Sequence, residues 1–233
     1  KLKLSQIVKW MSQMCSALQH ISDKKYVHRD IKADNILIDD DLNVVLTDFG
    51  CCKKFEGSET TMTTTIGTFS HVPPEYITND IDKIAPANDM WGLGVLLHQL
   101  LTGKLPFIPT VGYNKQETLN NLKKTIDTTP ISFNFSQQVK QELGQICGHL
   151  LQINMDKRYT AEKVQAALND IQIKYDQGQL NDDNLLEEQK LQNAYNENPS
   201  TINQSEELKI KKFVKVANIK IQFFDHAQLN DIR

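Results

Sequence analysis

His28-Arg29-Asp30-Ile31-Lys32-Ala33-Asp34-Asn35, followed a short way on by Asp48-Phe49-Gly50, is the part of this chain whose reading decides the rest. It offers a carboxylate, an ammonium two residues later, an amide three beyond that, and a second carboxylate. These are the polar groups needed to handle a magnesium-bound triphosphate. Phosphoryl transfer asks little covalent work of a protein; it depends on a hydroxyl aligned with the γ-phosphate and on positive charge spread over the phosphate oxygens. Asn35 and Asp48 are hard oxygen donors of the kind magnesium takes together with water and phosphate, and no softer metal is implied. Taken singly, an Asp or Lys in a loop is ordinarily solvated and inert, and Asp-Phe-Gly alone means little. The conjunction carries the weight.

Working outward, Ile36-Leu37-Ile38 and Val44-Val45-Leu46 flank Asp39-Asp40-Asp41, which predicts a short hairpin returning Asp48 beside Asp30. Upstream, Ser5 is a candidate cap for a helix in which Ile7, Met11, Met14, Leu18 and Ile21 recur at helical spacing and which ends near Ser22. Downstream, Asp89-Met90-Trp91-Gly92-Leu93-Gly94 runs into Val95-Leu96-Leu97-His98-Gln99-Leu100-Leu101, apolar on nearly every side, as a helix buried in a core should be. Gly103 ends it. The Gly92 and Gly94 pair is not a phosphate loop, because no strand precedes it. Three more helices are expected around Leu119, Leu122 and Ile126, around Val139, Leu143, Ile146 and Leu150, and around Val164, Leu168 and Ile171.

His-Arg-Asp-x-Lys-x-x-Asn before Asp-Phe-Gly resembles the catalytic loop and metal-binding turn of the eukaryotic protein kinases. Other segments extend the likeness. Gly67-Thr68-Phe69-Ser70-His71-Val72-Pro73-Pro74-Glu75 resembles the family's Gly-Thr-x-x-Tyr-x-Ala-Pro-Glu, and residues 89–94 resemble Asp-x-Trp-Ser-x-Gly with glycine in place of serine. Asp156-Lys157-Arg158-Tyr159-Thr160 resembles the segment whose arginine pairs with the glutamate of Ala-Pro-Glu. His71 stands where an aromatic residue is usual and Pro73 where alanine is, so both bear on peptide preference.

The resemblance implies roles. Asp30 accepts or orients the substrate hydroxyl proton, and Lys32 reaches the transferring phosphate. Asn35 and Asp48 hold Mg2+, and Lys32, Asn35, Leu37 and Asp48 contact ATP, with Leu37 beneath the adenine. His28 lies under the loop as a structural residue, while Asp89 holds the loop backbone. Arg158 pairs with Glu75, and Thr68 supports the activation segment. Residues 51–66 are polar and threonine-rich. Arg29 before the catalytic aspartate implies a phosphorylated activation loop, for which Thr64 is the best-placed acceptor, with Thr63 and Thr65 next. Lys32 together with Gly67-Thr68 favours the serine/threonine branch.

Of 233 residues, 39% are hydrophobic and 24% charged, which suits a globular protein with a sizeable core. A formal net charge of -3 gives no sign of a nucleic-acid partner. The longest apolar run, Trp91 to Leu101, is too short for a bilayer and contains His98 and Gln99, so membrane association is not expected. The start has no signal-peptide pattern and no methionine, the latter suggesting a fragment. Cys15, Cys51, Cys52 and Cys147 show neither zinc spacing nor a disulfide framework, which points to a reducing, cytoplasmic compartment. Small packed side chains are favoured over a redox-sensitive pair at Cys51-Cys52.

The expected fold is mostly α with short β-hairpins, the larger, C-terminal lobe of a kinase-like domain over residues 1–172 with the small lobe absent. Residues 173–207 read as a polar, flexible linker. Residues 208–233 read as strand-like: Val216, Ile219, Ile221 and Phe223 fall in a largely alternating pattern, favouring the start of another module over a basic membrane patch. Functionally, the resemblance implies a serine/threonine kinase acting on protein hydroxyls, with an upstream activating kinase as a candidate partner. The rival is a catalytically incompetent docking module of the same fold. Retention of Asp30, Lys32, Asn35 and Asp48 favours the enzyme. The chain by itself is expected to be inactive without a small lobe to cover the nucleotide.

Overall fold

The computed structural model of this chain describes residues 2–55, 69–77, 84–135 and 138–180, and the backbone of Gln222–Phe223. The central element is α3 (Pro86–Thr102), in which every residue from Asn88 to Leu101 except His98 is buried. Its nearly all-round apolarity explains the placement: such a helix has no face to give to water. It ends at Gly103, whose φ of 74° is the left-handed value that glycine adopts freely, and whose N–H donates to the Gln99 carbonyl at 2.7 Å.

α1 (Leu4–Asp23) and α5 (Gln138–Leu150) pack against α3, and α6 (Ala161–Asp176) packs against α1 and α5, each with one buried stripe. The stripe of α1 includes Ile7, Met11, Met14 and Leu18, that of α5 Val139, Leu143, Ile146 and Leu150, and that of α6 Val164, Leu168 and Ile171. Two further helices complete the α-helical set among the described residues. α2 (Pro74–Ile77) is a single turn, and α4 (Lys115–Thr128) buries Leu119, Leu122 and Ile126.

Two termini differ from the sequence reading. Helix α1 begins one residue before Ser5, with Lys3 at the cap position and no side-chain cap; the apolar Leu4, itself in the core, draws the first turn upstream. At the other end α6 runs to Asp176 and Leu180 is buried, so packing extends past the boundary at residue 172. Residues 173–176 are Ile-Lys-Tyr-Asp, and the backbone still bonds back into the helix as far as Leu180. Residues 181–207 of the expected linker, and 208–233 apart from Gln222–Phe223, lie outside the described residues.

The strands are short and gathered at one side. β2 (Ile36–Ile38) and β3 (Val44–Leu46) form the antiparallel hairpin, with Leu37 opposite Val45. β1 (Tyr26–Val27) pairs antiparallel with β4 (Lys53–Lys54), joining the chain just before the His28 loop to the chain just after Gly50. β5 (Gln222–Phe223) adds to β2 in parallel. Polar residues of α1 hold the hairpin tip: Gln6 Nε2 and Trp10 Nε1 donate to the Leu42 carbonyl at 3.0 and 2.9 Å, and Gln13 Oε1 accepts from the Val44 N–H at 3.0 Å. Among the described residues no helix is long and apolar enough to cross a membrane.

Candidate active site

The loop from His28 to Asn35 is shaped by backbone contacts before any side chain acts. Arg29 has a φ of 68°, a left-handed conformation that costs a non-glycine residue energy and persists where neighbours enforce it. The neighbour here is Asp89 at the start of α3: its two carboxylate oxygens accept the N–H groups of His28 and Arg29, each at 2.7 Å. Asp89 is buried, and that burial raises its pKa to about 7 against the lowering effect of those two N–H donors. Beneath the same loop, Gly92 of α3 lies so close to Ile31 that an added Cβ would stand 2.8 Å from its Cβ and 2.9 Å from its carbonyl oxygen. That close approach is a physical reason for glycine at this position.

On this base the polar side chains converge. Lys32 Nζ meets Asp30 Oδ2 at 2.6 Å, and Asn35 Nδ2 donates to the same Oδ2 at 2.9 Å and to the Asp30 carbonyl at 2.8 Å. The Asp30 carboxylate is therefore gripped from two sides in a largely dry setting, Asp30 and Asn35 both being buried. The hairpin then closes the circuit. Thr47 donates its N–H and its hydroxyl to the Asn35 carbonyl at 2.9 and 3.1 Å, which brings the next residue, Asp48, to the loop.

Asp48 is itself left-handed, with φ 60° and ψ 71°, and its Oδ1 accepts from the Gly50 N–H at 3.3 Å. It is exposed, as is Phe49 beside it. His28 ties the two segments: one ring nitrogen, Nε2, contacts the Thr47 carbonyl at 3.0 Å, and the ring meets Phe49 edge-on at 5.1 Å. Its pKa is lowered, chiefly by burial, so it is a neutral strut. Arg29 Nε donates to the Cys51 carbonyl at 2.7 Å, a further link across to the segment after Gly50.

Leu37 sits on β2, one strand position from the core residues Ile36 and Ile38, and is buried. Arg158 and Glu75 form a bidentate pair at 2.8 and 3.0 Å, with both side chains withdrawn from water. Three groups around that pair went unnoticed in the sequence. Asn88 Nδ2 donates to Glu75 Oε1 at 2.7 Å, and Arg158 also donates to the carbonyls of Ala87 and Gln152. An asparagine in a helical first turn carries no signal beyond capping, and carbonyls carry none. His71 is buried near Asp30, Lys32 and Asp34, bonds Ser70 Oγ through Nδ1 at 3.1 Å, and is pushed down to about 4 by burial. Thr64 and Thr68 lie outside the described residues. All four cysteines are free, and burial raises the Cys52 thiol to about 11.

The chain matches the family model for the protein kinase domain over residues 1–168, and it belongs to the protein kinase family. Among curated relatives it is similar to the serine/threonine-protein kinase AtPK1/AtPK6 of Arabidopsis thaliana, 38% identical over 48% of this chain and 23% of the relative. The human RAC-beta serine/threonine-protein kinase is 38% identical over 41% of this chain and 20% of its own length. Developmentally-regulated protein kinase 1 of Dictyostelium discoideum is 32% identical over 64% of this chain and 19% of the relative. The matched stretches thus cover about a quarter or less of each relative. Members of this family generally use ATP and Mg2+, and the donor set fits that metal. With the Asn35 Nδ2 engaged by Asp30, its Oδ1 is the remaining side-chain donor, and Asp48 offers an exposed carboxylate. Two oxygen donors suit magnesium, which is usually bound through one or two protein carboxylates together with phosphate and water.

Proposed function

We propose that this chain is the larger, C-terminal lobe of a serine/threonine protein kinase, transferring the γ-phosphate of MgATP to Ser and Thr hydroxyls of protein substrates. The observation that carries the reading is the convergence of Lys32 and Asn35 on the Asp30 carboxylate, hydrogen-bonded through Thr47 to the segment bearing Asp48. Asp30 orients the incoming hydroxyl and takes its proton. Lys32 moves from the carboxylate to the transferring phosphate as charge develops there, and Asn35 and Asp48 hold the magnesium, which neutralises the phosphate oxygens when bound. Leu37 supplies an apolar floor for the adenine. The nucleotide needs a second lobe to cover it, since a tight small-molecule site encloses roughly 70–90% of its ligand, so this chain alone is expected to be folded and inactive. A reducing, cytoplasmic setting suits its free thiols.

The test is Asp30→Asn in a protein that joins this chain to a kinase small lobe. Turnover should fall by orders of magnitude with MgATP affinity nearly unchanged, because the group acts on the transition state; Asp48→Asn should weaken MgATP binding itself. Near-normal turnover in the Asp30 variant would falsify the role given to Asp30, whereas no turnover in the unmutated two-lobe protein would favour a docking module.

Regulation follows from the same loop. Arg29, as the residue before Asp30, would hold a phosphate put on Thr64 by an upstream kinase, since a phosphate brings close to two negative charges and several charge-assisted hydrogen bonds. Mapping of phosphorylated residues in active enzyme should find Thr64, Thr63 or Thr65. A fully active Thr64→Ala variant with no phosphate on the other two rules this out.

A further inference from the structure

The hairpin that carries Leu37 has an outer edge, and the direction of its hydrogen bonds can be worked out. Asp39 donates its N–H to the Asn43 carbonyl at 3.0 Å, and Thr47 donates to the Asn35 carbonyl at 2.9 Å. In an antiparallel pair bonded and non-bonded positions alternate, so Leu37 with Val45 is the bonded pair between them. Ile36 and Ile38 therefore direct their free backbone groups away from β3. The Ile36 N–H is already taken by the Ala33 carbonyl. That leaves the Ile36 carbonyl and both the N–H and the carbonyl of Ile38 on the open edge, where β5 runs in parallel with Leu37 opposite Gln222 and Ile38 opposite Phe223. A parallel bridge between Leu37 and Gln222 uses the first two of these groups, with the Gln222 N–H donating to the Ile36 carbonyl and the Gln222 carbonyl accepting from the Ile38 N–H.

A second observation concerns Leu37. Successive side chains of a strand face opposite ways, and Ile36 and Ile38 belong to the main apolar core whereas Leu37 does not. Leu37 lies on the other face, yet is only 9% exposed. An apolar strand edge left bare is a template for pairing with another chain, and here Gln222–Phe223, from the largely alternating C-terminal stretch of the sequence, occupy it.

We infer that the edge of β2 is a strand-accepting surface whose partner is the chain's own C-terminal segment carrying Gln222–Phe223, and that docking of this segment shields Leu37. The chain thereby fills its own sheet edge by strand addition. Describing the shielded residue as a nucleotide floor rests on the function proposed above, so the docked segment and the adenine compete for Leu37.

Amide hydrogen exchange read by NMR on the 233-residue chain, on Gln222→Pro and on a variant ending at residue 207 tests the pairing. Proline has no N–H to give to Ile36 and disrupts the register. In both variants the Ile38 amide should exchange about five- to tenfold faster, the loss of one net hydrogen bond. The Leu37 and Asp39 amides, bonded to β3, should keep their protection. An unchanged Ile38 rate in the shortened chain overturns the pairing. So does equal acceleration of all three amides, since the tail would then prop up the whole hairpin rather than cap its edge. Titration with MgATP of the chain joined to a kinase small lobe, in its full-length form and ending at residue 207, separates the two claims. A response at Leu37 at several-fold lower MgATP in the shortened chain supports competition, and identical titrations overturn it. No response in either chain, with Ile38 accelerated, supports docking and counts against the nucleotide reading instead.

Discussion

The helical body and the loop region around Asp30 are held together by different forces. In the body, α1, α3, α5 and α6 present apolar stripes to one another, and their stability derives from area withdrawn from water, which is non-directional and tolerant of small shifts. In the loop region the strands are two or three residues long, four non-glycine residues (Lys25, Arg29, Leu42 and Asp48) have left-handed φ, and the contacts are mostly hydrogen bonds made by side chains. Such contacts are directional and fix atoms to within tenths of an ångström. The body supplies stability, and the loop, anchored on it through Asp89 and Gly92, supplies geometry.

The largest break in this division should come from the Glu75–Arg158 pair, a polar contact in the helical body. Arg158→Met leaves a buried carboxylate that keeps its Asn88 donor but loses both guanidinium bonds, and loss of one member of a buried ion pair costs about 3–5 kcal/mol. Urea unfolding should show a drop of that size, with partial recovery in the double variant Glu75→Gln, Arg158→Met. A loss within error of zero would mean that the pair is dispensable to folding.

A smaller effect tests the seam between the regions. In Gly92→Ala the new methyl meets Ile31, and overpacking typically costs about 1–3 kcal/mol, against a gain of about 1 kcal/mol for alanine over glycine within a helix. The expected net loss is therefore up to about 2 kcal/mol. Its signature is local: amide shifts at Asp30 and Lys32 should move more than those of α5. Uniform small changes would show that loop and helix are not in the tight contact the structure has.

What was legible in the sequence follows the same line. Ile7, Met11, Met14 and Leu18 announce α1, and Val139, Leu143, Ile146 and Leu150 announce α5, because burial of one face imposes a period that survives in the residues themselves. The hairpin was readable from two apolar triplets about an acidic turn. β1 and β4 were not. Two residues each, containing Lys53 and Lys54, they have no period to detect, and their pairing depends on the route of the intervening chain. The residues of the catalytic loop were recognisable by order and spacing, but their partners were not. That Asn35 engages Asp30 on two atoms, that Thr47 grips Asn35, and that Asn88 supports Glu75 are facts of three-dimensional closure. The beginning of α1 at Leu4 and the extension of α6 to Asp176 were missed for a plainer reason: helix ends are set by local backbone bonds, which composition reports weakly.

The smallest expected effect lies at His71, where the two regions meet. Its imidazole is buried against Ser70 and Gln99 with Asp30, Lys32 and Asp34 nearby, and burial lowers its pKa from the ordinary 6.5 to about 4. Between those values the unfolded chain takes up the proton and the folded chain does not. The stability contributed by neutral His71 is thus fully present above pH 6.5 and is lost as pH falls toward 4. Asp89 works in the opposite sense across the same window. With its pKa raised to about 7, the folded state binds a proton that the unfolded carboxylate does not bind until near its ordinary 3.8, so stability on its account rises as pH falls from 7 to 4. The wild-type chain shows the difference of the two, together with a contribution of the same sign as His71 from His28. His71→Gln keeps a polar group for Ser70 and removes the titration, so on going from pH 7 to pH 5 its unfolding free energy from urea melts should shift upward relative to that of the wild type, by on the order of 1 kcal/mol. Equal changes in the two proteins would mean that the imidazole is not held neutral by its surroundings, and that the wall beside Asp30 is wetter than the structure has it.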